Sequence, residues 1–339
     1  MNDLNIYTQH DGKAIETDGT YKHVMAIALD KTSKYTRGIV RCITSRDGDV
    51  TVSGYVDRSE IHKISGNTSE HFSIGEQLEI AGSEEIINGL KNKGLDFIGF
   101  EDPDIFQDED TGFTHVYFTL PFLNTAKKHA LVHLGHAVGR DLDSLKMTAP
   151  VLVADPKTYE GAKEVSIAPV NSKGVRLNLF ESSKKETDFT YSTVRVAIAK
   201  DMNGPWEFGK TVFHPKERGI TWIGGHASPG PLLPKSFIDV GKNKLLGIMN
   251  GREANKKLDG KTTYGIFSVG LFIYDYETGT IDWVSPEPLI RDSEARTITF
   301  ASQFIETSSG EGILYAHIDD SFVRAYTLYS KGLKSLLQS

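Results

Sequence analysis

The chain has 339 residues, 39% of them hydrophobic and 24% charged, with a net charge of −7, a globular mixture with room for a large core. The negative balance excludes a nucleic-acid backbone as the main partner, because that binding needs clustered Lys and Arg. No run approaches the roughly 20 apolar residues of a membrane-spanning helix, and a single cysteine, Cys42, excludes an intramolecular disulfide.

Taken in chain order, the opening MNDLNIYTQHDGK is polar and acidic and lacks the basic and apolar regions of a signal peptide, so a cytoplasmic protein is expected. Cys42, in the apolar run GIVRCIT, reads as a buried structural thiol rather than a nucleophile. Residues 1–96 have room for one sheet unit and hold the best helix pattern, SEEIINGLKNKG, with Ser83 as its cap.

From residue 97 onward, short β-branched and aromatic runs recur in one order: a polar lead, a Gly-containing turn, an aromatic-rich strand and a third strand. FEDPDIF leads to THVYFTL and ALVHLGHAVGRDL. EVSIAPV leads to GVRLNLF and TVRVAIAKDM. HASPGPLL leads to KLLGIMNG and GLFIYDYETG, and FASQFIE leads to GILYAHI and FVRAYTL. Asp102 and Glu164 are 62 residues apart (164 − 102), and the step on to His226 is again 62 (226 − 164). Such a unit of three or four antiparallel strands is a propeller blade. Four blades over 97–330 and one within 1–96 make an all-β, five-bladed β-propeller, expected to form one catalytic domain over 1–339.

In a propeller the innermost strand of each blade begins at the central funnel, so polar groups distant in sequence converge there. Asp102, Glu164, His226 and Ser302 are expected around one pocket, with Glu181, Arg252, Glu253, Asp319 and Asp320 on its wall. His317 also falls at a funnel position, and Trp222, in TWIGGH, is expected to stack on a sugar face or else to pack between blades. Converging carboxylates suit glycosidic chemistry, in which one acid protonates the leaving oxygen and another assists attack.

Two motifs point elsewhere. GPWEFGKT over 204–211 matches the phosphate-loop pattern, but Pro, Trp, Glu and Phe fill the loop and no helix pattern follows, so it reads as a turn between strands. His129, His133 and His136 would share a helix face and could hold zinc. As a strand, the segment turns His136 away from the other two, and no metal or cofactor is expected.

GFEDPDIF resembles the Glu-Asp-Pro-Arg segment of glycoside hydrolase family 130, the β-mannoside phosphorylases and β-mannosidases. In the same order, HLGHAVGRDLDSL is similar to the family's third-strand pattern, AKEVSIAPV to its Lys-Asp-x-x-x-x-Pro segment and GGHASPGPL to its Gly-Ala-Gly-Pro-Pro-Pro segment. ITFASQF with ILYAHIDDSFVRAYTL resembles its last blade. The likeness covers about 97–330. It implies a five-bladed propeller, a catalytic acid at Asp102 and a sugar-binding carboxylate at Asp320. Two positions depart from the family. The Arg after Glu-Asp-Pro is Asp104 here, and the strand that ends in a phosphate-holding Arg in the phosphorylases ends here in Phe180-Glu181.

A carboxylate in place of a cationic clamp repels phosphate, so the expectation is an inverting glycosidase for β-mannosides or similar short oligosaccharides. Asp102 would be the acid and Glu181 the base, with Glu253 and Glu164 competing for the latter role. Glu164, Trp222, His226, Arg252, His317 and Asp320 would bind substrate. Three alternatives stay open. One is a phosphorylase that seats inorganic phosphate on Arg252 and Lys163, and another a catalytically silent propeller that binds sugar or protein. The third is an arabinan- or xylan-cleaving propeller of family 43 type, which usually carries its Asp on the first blade. The sequence leaves a homo-oligomer open.

Overall fold

The computed structural model describes residues 5–338 except 69–70, 92–93, 125–128, 156, 158–159, 187–189 and 259–260. The polar-lead, turn and aromatic-strand units fold as antiparallel meanders, as their alternation of apolar and polar positions requires. The first blade runs His23–Leu29, Arg37–Asp47, Val56–Thr68, His71–Gln77 from the inside outward. The second runs Glu101–Asp108, Phe113–Asn124, His129–Gly139, Lys146–Met147, and Leu95–Phe97 pairs further along the same edge of Phe113–Asn124. Lys163–Ser166, Arg176–Lys185, Thr190–Ala199 and Glu207–Phe213 make the third. His226–Leu232, Lys244–Arg252, Phe267–Asp275 and Thr280–Val284 make the fourth.

The fifth blade is Thr299–Ser308, Glu311–Ile318 and Phe322–Tyr329, and its outer strand is Tyr7–Ile15, paired antiparallel to Phe322–Tyr329 from Tyr7 opposite Leu328 to Ile15 opposite Val323. This corrects the allotment of 1–96 to the first blade: residues 7–15 complete the last one. The five inner strands touch in a ring, His23–Leu29 packing against both Glu101–Asp108 and Thr299–Ser308, and the fold is a five-bladed β-propeller.

The inner strands share a local device. The ladder slips between Met25 and Ile27, between Glu101 and Asp104 and between Lys163 and Val165. Each slip contains a residue with positive φ: Ala26 at 51°, Asp102 at 46° and Glu164 at 50°. Such bulges bend a strand and re-aim a side chain, and positive φ on residues with a Cβ is strain that the surrounding sheet must hold.

Cores of apolar side chains fill the spaces between blades. One of them joins Leu233, Leu246, Leu271, Leu314 and Tyr326 of blades four and five with Leu333 of the C-terminal helix Ser330–Gln338, which the sequence reading had missed. The other helix is Ser83–Leu90. Its N-cap is Gly82, at φ 75°, rather than Ser83, because only a residue free of Cβ crowding turns so readily into that helix. Cys42 is buried, and burial pushes its thiol up to about 12. Of GPWEFGKT, read as a turn, only residues 204–206 lie outside a strand, and Glu207–Phe213 is the outer strand of the third blade. Among the described residues no helix is long and apolar enough to cross a membrane.

Candidate active site

The strand starts converge on a cavity of about 920 Å³ to which all five blades contribute. Arg41 comes from the first blade, Glu101 and Asp102 from the second, and Lys163, Glu164 and Glu181 from the third. His226 and Arg252 come from the fourth, and His317 and Asp320 from the fifth.

Arg41 organises one side. Its Nη1 donates to Asp102 Oδ1 at 2.9 Å, its Nη2 to Glu101 Oε1 at 2.7 Å and its Nε to Ser59 Oγ at 3.1 Å. Burial opposes the charge on Asp102, but the Arg41 guanidinium and the Lys163 ammonium outweigh it and hold the carboxyl below its ordinary value. Glu101 is pushed up to about 7 by burial, against the pull of Arg41. Burial together with the Asp102 charge pushes Glu164 well above the usual carboxylate range. The two carboxyls are therefore linked in their titration, with Glu164 biased toward its protonated form and Asp102 toward its charged one. Their adjacent inner-strand bulges bring them together.

Glu181 faces the same cavity with the opposite bias. It pairs with Lys163 across the ladder, with Lys163 Nζ 3.5 Å from its Oε1, and its Oε2 lies 2.9 Å from His226 Nε2. Burial would raise this carboxyl, yet the His226 imidazole and the Lys163 ammonium hold it well below the usual range. His226 is itself pushed down to about 4 by burial, against the pull of Glu181, so the pair meets neutral pH as a carboxylate and a neutral imidazole that donates to it. In the fifth blade, Tyr55 Oη donates to Asp320 Oδ2 at 3.1 Å, and His317 Nδ1 lies 3.2 Å from Asp320 Oδ1. Asp320 falls to about 2, the approach of the His317 ring together with Arg46 and Arg41 outweighing burial.

Below the Asp102–Glu164 pair, a smaller cavity of about 180 Å³ runs between the inner strands, lined by Asp104, Phe106, Gly230 and Ser302 among others. Burial pushes Asp104 up to about 7 there.

Four expected positions are corrected. Trp222 is buried in the core of the fourth blade, its Nε1 donating to Ser285 O at 3.1 Å, and it does not line the cavity. Glu253 turns to Arg291, whose Nη2 donates to it at 3.1 Å. Asp319 accepts hydrogen bonds from the backbone N–H groups of Arg296, Thr297 and Ile298 and so fixes a turn. Ser302 faces the lower cavity and donates to Ile27 O at 3.1 Å. His133 accepts from Ala154 N at 2.9 Å, and His136 Nε2 meets His115 Nδ1 at 2.9 Å, both inside the second blade; the side chain of His129 lies outside the described residues.

Sequence reasoning missed Arg41, Glu101 and Tyr55. The signal for Arg41 was an arginine inside the apolar run GIVRCIT, since a cation is seldom buried unless paired.

No family model matches the chain, and no curated protein matches it by sequence. Solved structures do match. A β-1,2-mannobiose phosphorylase from Listeria innocua, in complex with β-1,2-mannobiose, is 13% identical over 99% of this chain and 100% of that one, with a TM-score of 0.66. A mannose phosphorylase from Leishmania mexicana, in complex with phosphate ion, is 12% identical over 98% of this chain and 91% of that one, with a TM-score of 0.56. The catalytic domain of a GH62 α-L-arabinofuranosidase from Coprinopsis cinerea is 10% identical over 96% of this chain and 97% of that one, also at 0.56. At this level of identity the likeness is one of fold alone.

Proposed function

We propose that the chain is an inverting glycosidase that cleaves short oligosaccharides, β-mannosides or close relatives, in the five-blade cavity. The observation that carries this reading is the convergence of carboxyls with opposed bias on one cavity: Glu164, beside Asp102, is pushed toward its protonated form, while Glu181, against Lys163 and His226, is held toward its charged one. Environments that push two carboxyls apart divide the work of acid and base between them. The Asp102–Glu164 pair gives its proton to the glycosidic oxygen, directly or through a substrate hydroxyl, as the bond from that oxygen to the anomeric carbon breaks. Glu181 accepts a proton from the water whose oxygen attacks that carbon from the opposite face. The pair then regains a proton from solvent and Glu181 releases one. Inversion needs roughly 6.5–9.5 Å between acid and base. No step needs a cofactor.

Ala26 bears on the family 43 reading. It occupies the first-blade bulge that corresponds to Asp102 and Glu164, so a first-blade acid at that position has no carboxyl. Phosphorolysis is the second reading, favoured by Arg252 in the cavity wall and by the phosphate in the Leishmania neighbour. Against it, Lys163 is engaged with Glu181. Each pair of like unit charges about 4 Å apart costs about 4 kcal/mol near a protein surface, and a phosphate beside Glu181 would meet such a cost.

The test is cleavage of β-mannobioses with and without phosphate, with the product anomer followed by NMR. Phosphate-independent release of the inverted sugar is expected, and strict phosphate dependence would replace this reading with phosphorolysis. Asp102→Asn should lower turnover on unactivated glycosides by roughly 10²-fold or more, with a smaller loss on activated aryl glycosides. Near-normal hydrolysis by Glu181→Gln would place the base elsewhere.

A further inference from the structure

Among the described residues three arginines are buried, Arg41, Arg252 and Arg324, at 6%, 8% and 1% exposure. Two of them carry counter-charges. Arg41 holds Glu101 and Asp102. Arg324 holds Asp292 and Glu294, at 2.8 and 2.6 Å. Arg252 has no carboxylate in ion-pair reach among the described residues, and its buried Nε has no hydrogen-bond partner. A cation so placed is costly until an anion meets it, and burial accordingly pushes this guanidinium below its ordinary value.

Its surroundings hold it in place without neutralising it. Arg252 ends the strand Lys244–Arg252, in register with His226. The guanidinium carbon lies 4.2 Å from the ring centroid of Tyr264 and 5.1 Å from that of Phe267. Aromatic faces hold the guanidinium plane by cation–π attraction without supplying a carboxylate, and its Nε stays unmet. Three residues on, the amide oxygen of Asn255 is also buried without a partner, and it lines the same cavity. The wall thus offers a two-donor cationic fork and, close by in the chain, an unmet acceptor.

We infer that Arg252 seats a carboxylate on the sugar substrate, so that the cavity is built for an acidic glycoside, a uronic acid unit whose neighbouring hydroxyl donates to Asn255. A planar carboxylate matches the guanidinium fork in a bidentate pair. It brings a single charge toward the wall that holds Glu181, whereas a phosphate dianion brings two. The inference rests on the glycosidase reading for the name of the substrate, but the anion site itself can be tested without turnover.

The experiment is calorimetric binding of D-mannuronate, D-glucuronate, D-mannose and inorganic phosphate to the full chain, wild type and Arg252→Gln. In the wild type at least one uronate should bind tenfold or more tighter than mannose, and its affinity should fall as salt rises. Arg252→Gln should abolish that preference, with an unfolding midpoint no lower than the wild type's. Should Arg252→Gln unfold, Asn255→Ala serves in its place and should weaken uronate more than mannose. A wild type that binds uronates no better than mannose overturns the inference. So does a phosphate that binds through Arg252 while the uronates do not, since the site is then one for inorganic phosphate. If uronate binding depends on Arg252 and no glycoside is cleaved, the site stands and the glycosidase reading falls.

Discussion

Asp104 shows how much one replaced side chain can matter. Where the resembling family has an arginine, this chain puts a carboxyl into the lower cavity, and burial raises it to about 7 from 3.8. In the folded protein it keeps its proton up to about pH 7, while the unfolded chain releases it near pH 4. Between those values the native state binds more protons, so stability falls as pH rises and levels off above the folded value. Asp104→Asn removes this slope. Its unfolding midpoint should match the wild type at pH 4 and exceed it by roughly 6 °C at pH 8, and equal midpoints at both would show that the carboxyl is well solvated.

The same scale explains which site residues were legible. Asp102 stood out because a polar Glu-Asp-Pro lead precedes an aromatic strand. Glu253 was a false candidate for a simple reason: successive strand residues point to opposite faces, so Arg252 and Glu253 could not both face the cavity. Arg41 lies between apolar neighbours, and nothing local says that its partners are some 60 residues away, at Glu101 and Asp102.

At the scale of elements, Trp222 teaches the same lesson through packing. Its nearness in sequence to His226 suggested the cavity, but the 3-10 turn Thr221–Ile223 drops the indole beneath the fourth blade. There it lies against Gly251 and Gly270, where an added Cβ would collide with the ring. The missed signal was this pair of glycines on neighbouring strands, which leave room for one large side chain. Trp222→Ala should cost about 3–5 kcal/mol, as large aromatic truncations in cores do, read from urea unfolding. A loss below about 1 kcal/mol would mean that the blade does not depend on the indole. The blades themselves were readable because each is a local meander whose strands follow one another within a few dozen residues. The strand Tyr7–Ile15 was not, since its partner lies more than 300 residues away and leaves no pattern nearby; Thr8, for instance, pairs with Thr327.

For the whole molecule, the pairing of Tyr7–Ile15 with Phe322–Tyr329 has a consequence for synthesis. A ribosome adds about 5–20 residues per second, so the first strand waits on the order of 15–60 seconds before its partner emerges. Through that interval its backbone donors and acceptors are open to other chains, and the ring cannot shut. Nascent chains stalled before residue 322 should be cut by protease within residues 7–15, while released full-length protein should resist there. Equal resistance in both would mean that the first strand finds a temporary shelter. The closing strand thus makes synthesis of residues 322–329 the condition for closing the ring, and a product terminated before them is left with an open edge that quality control can recognise.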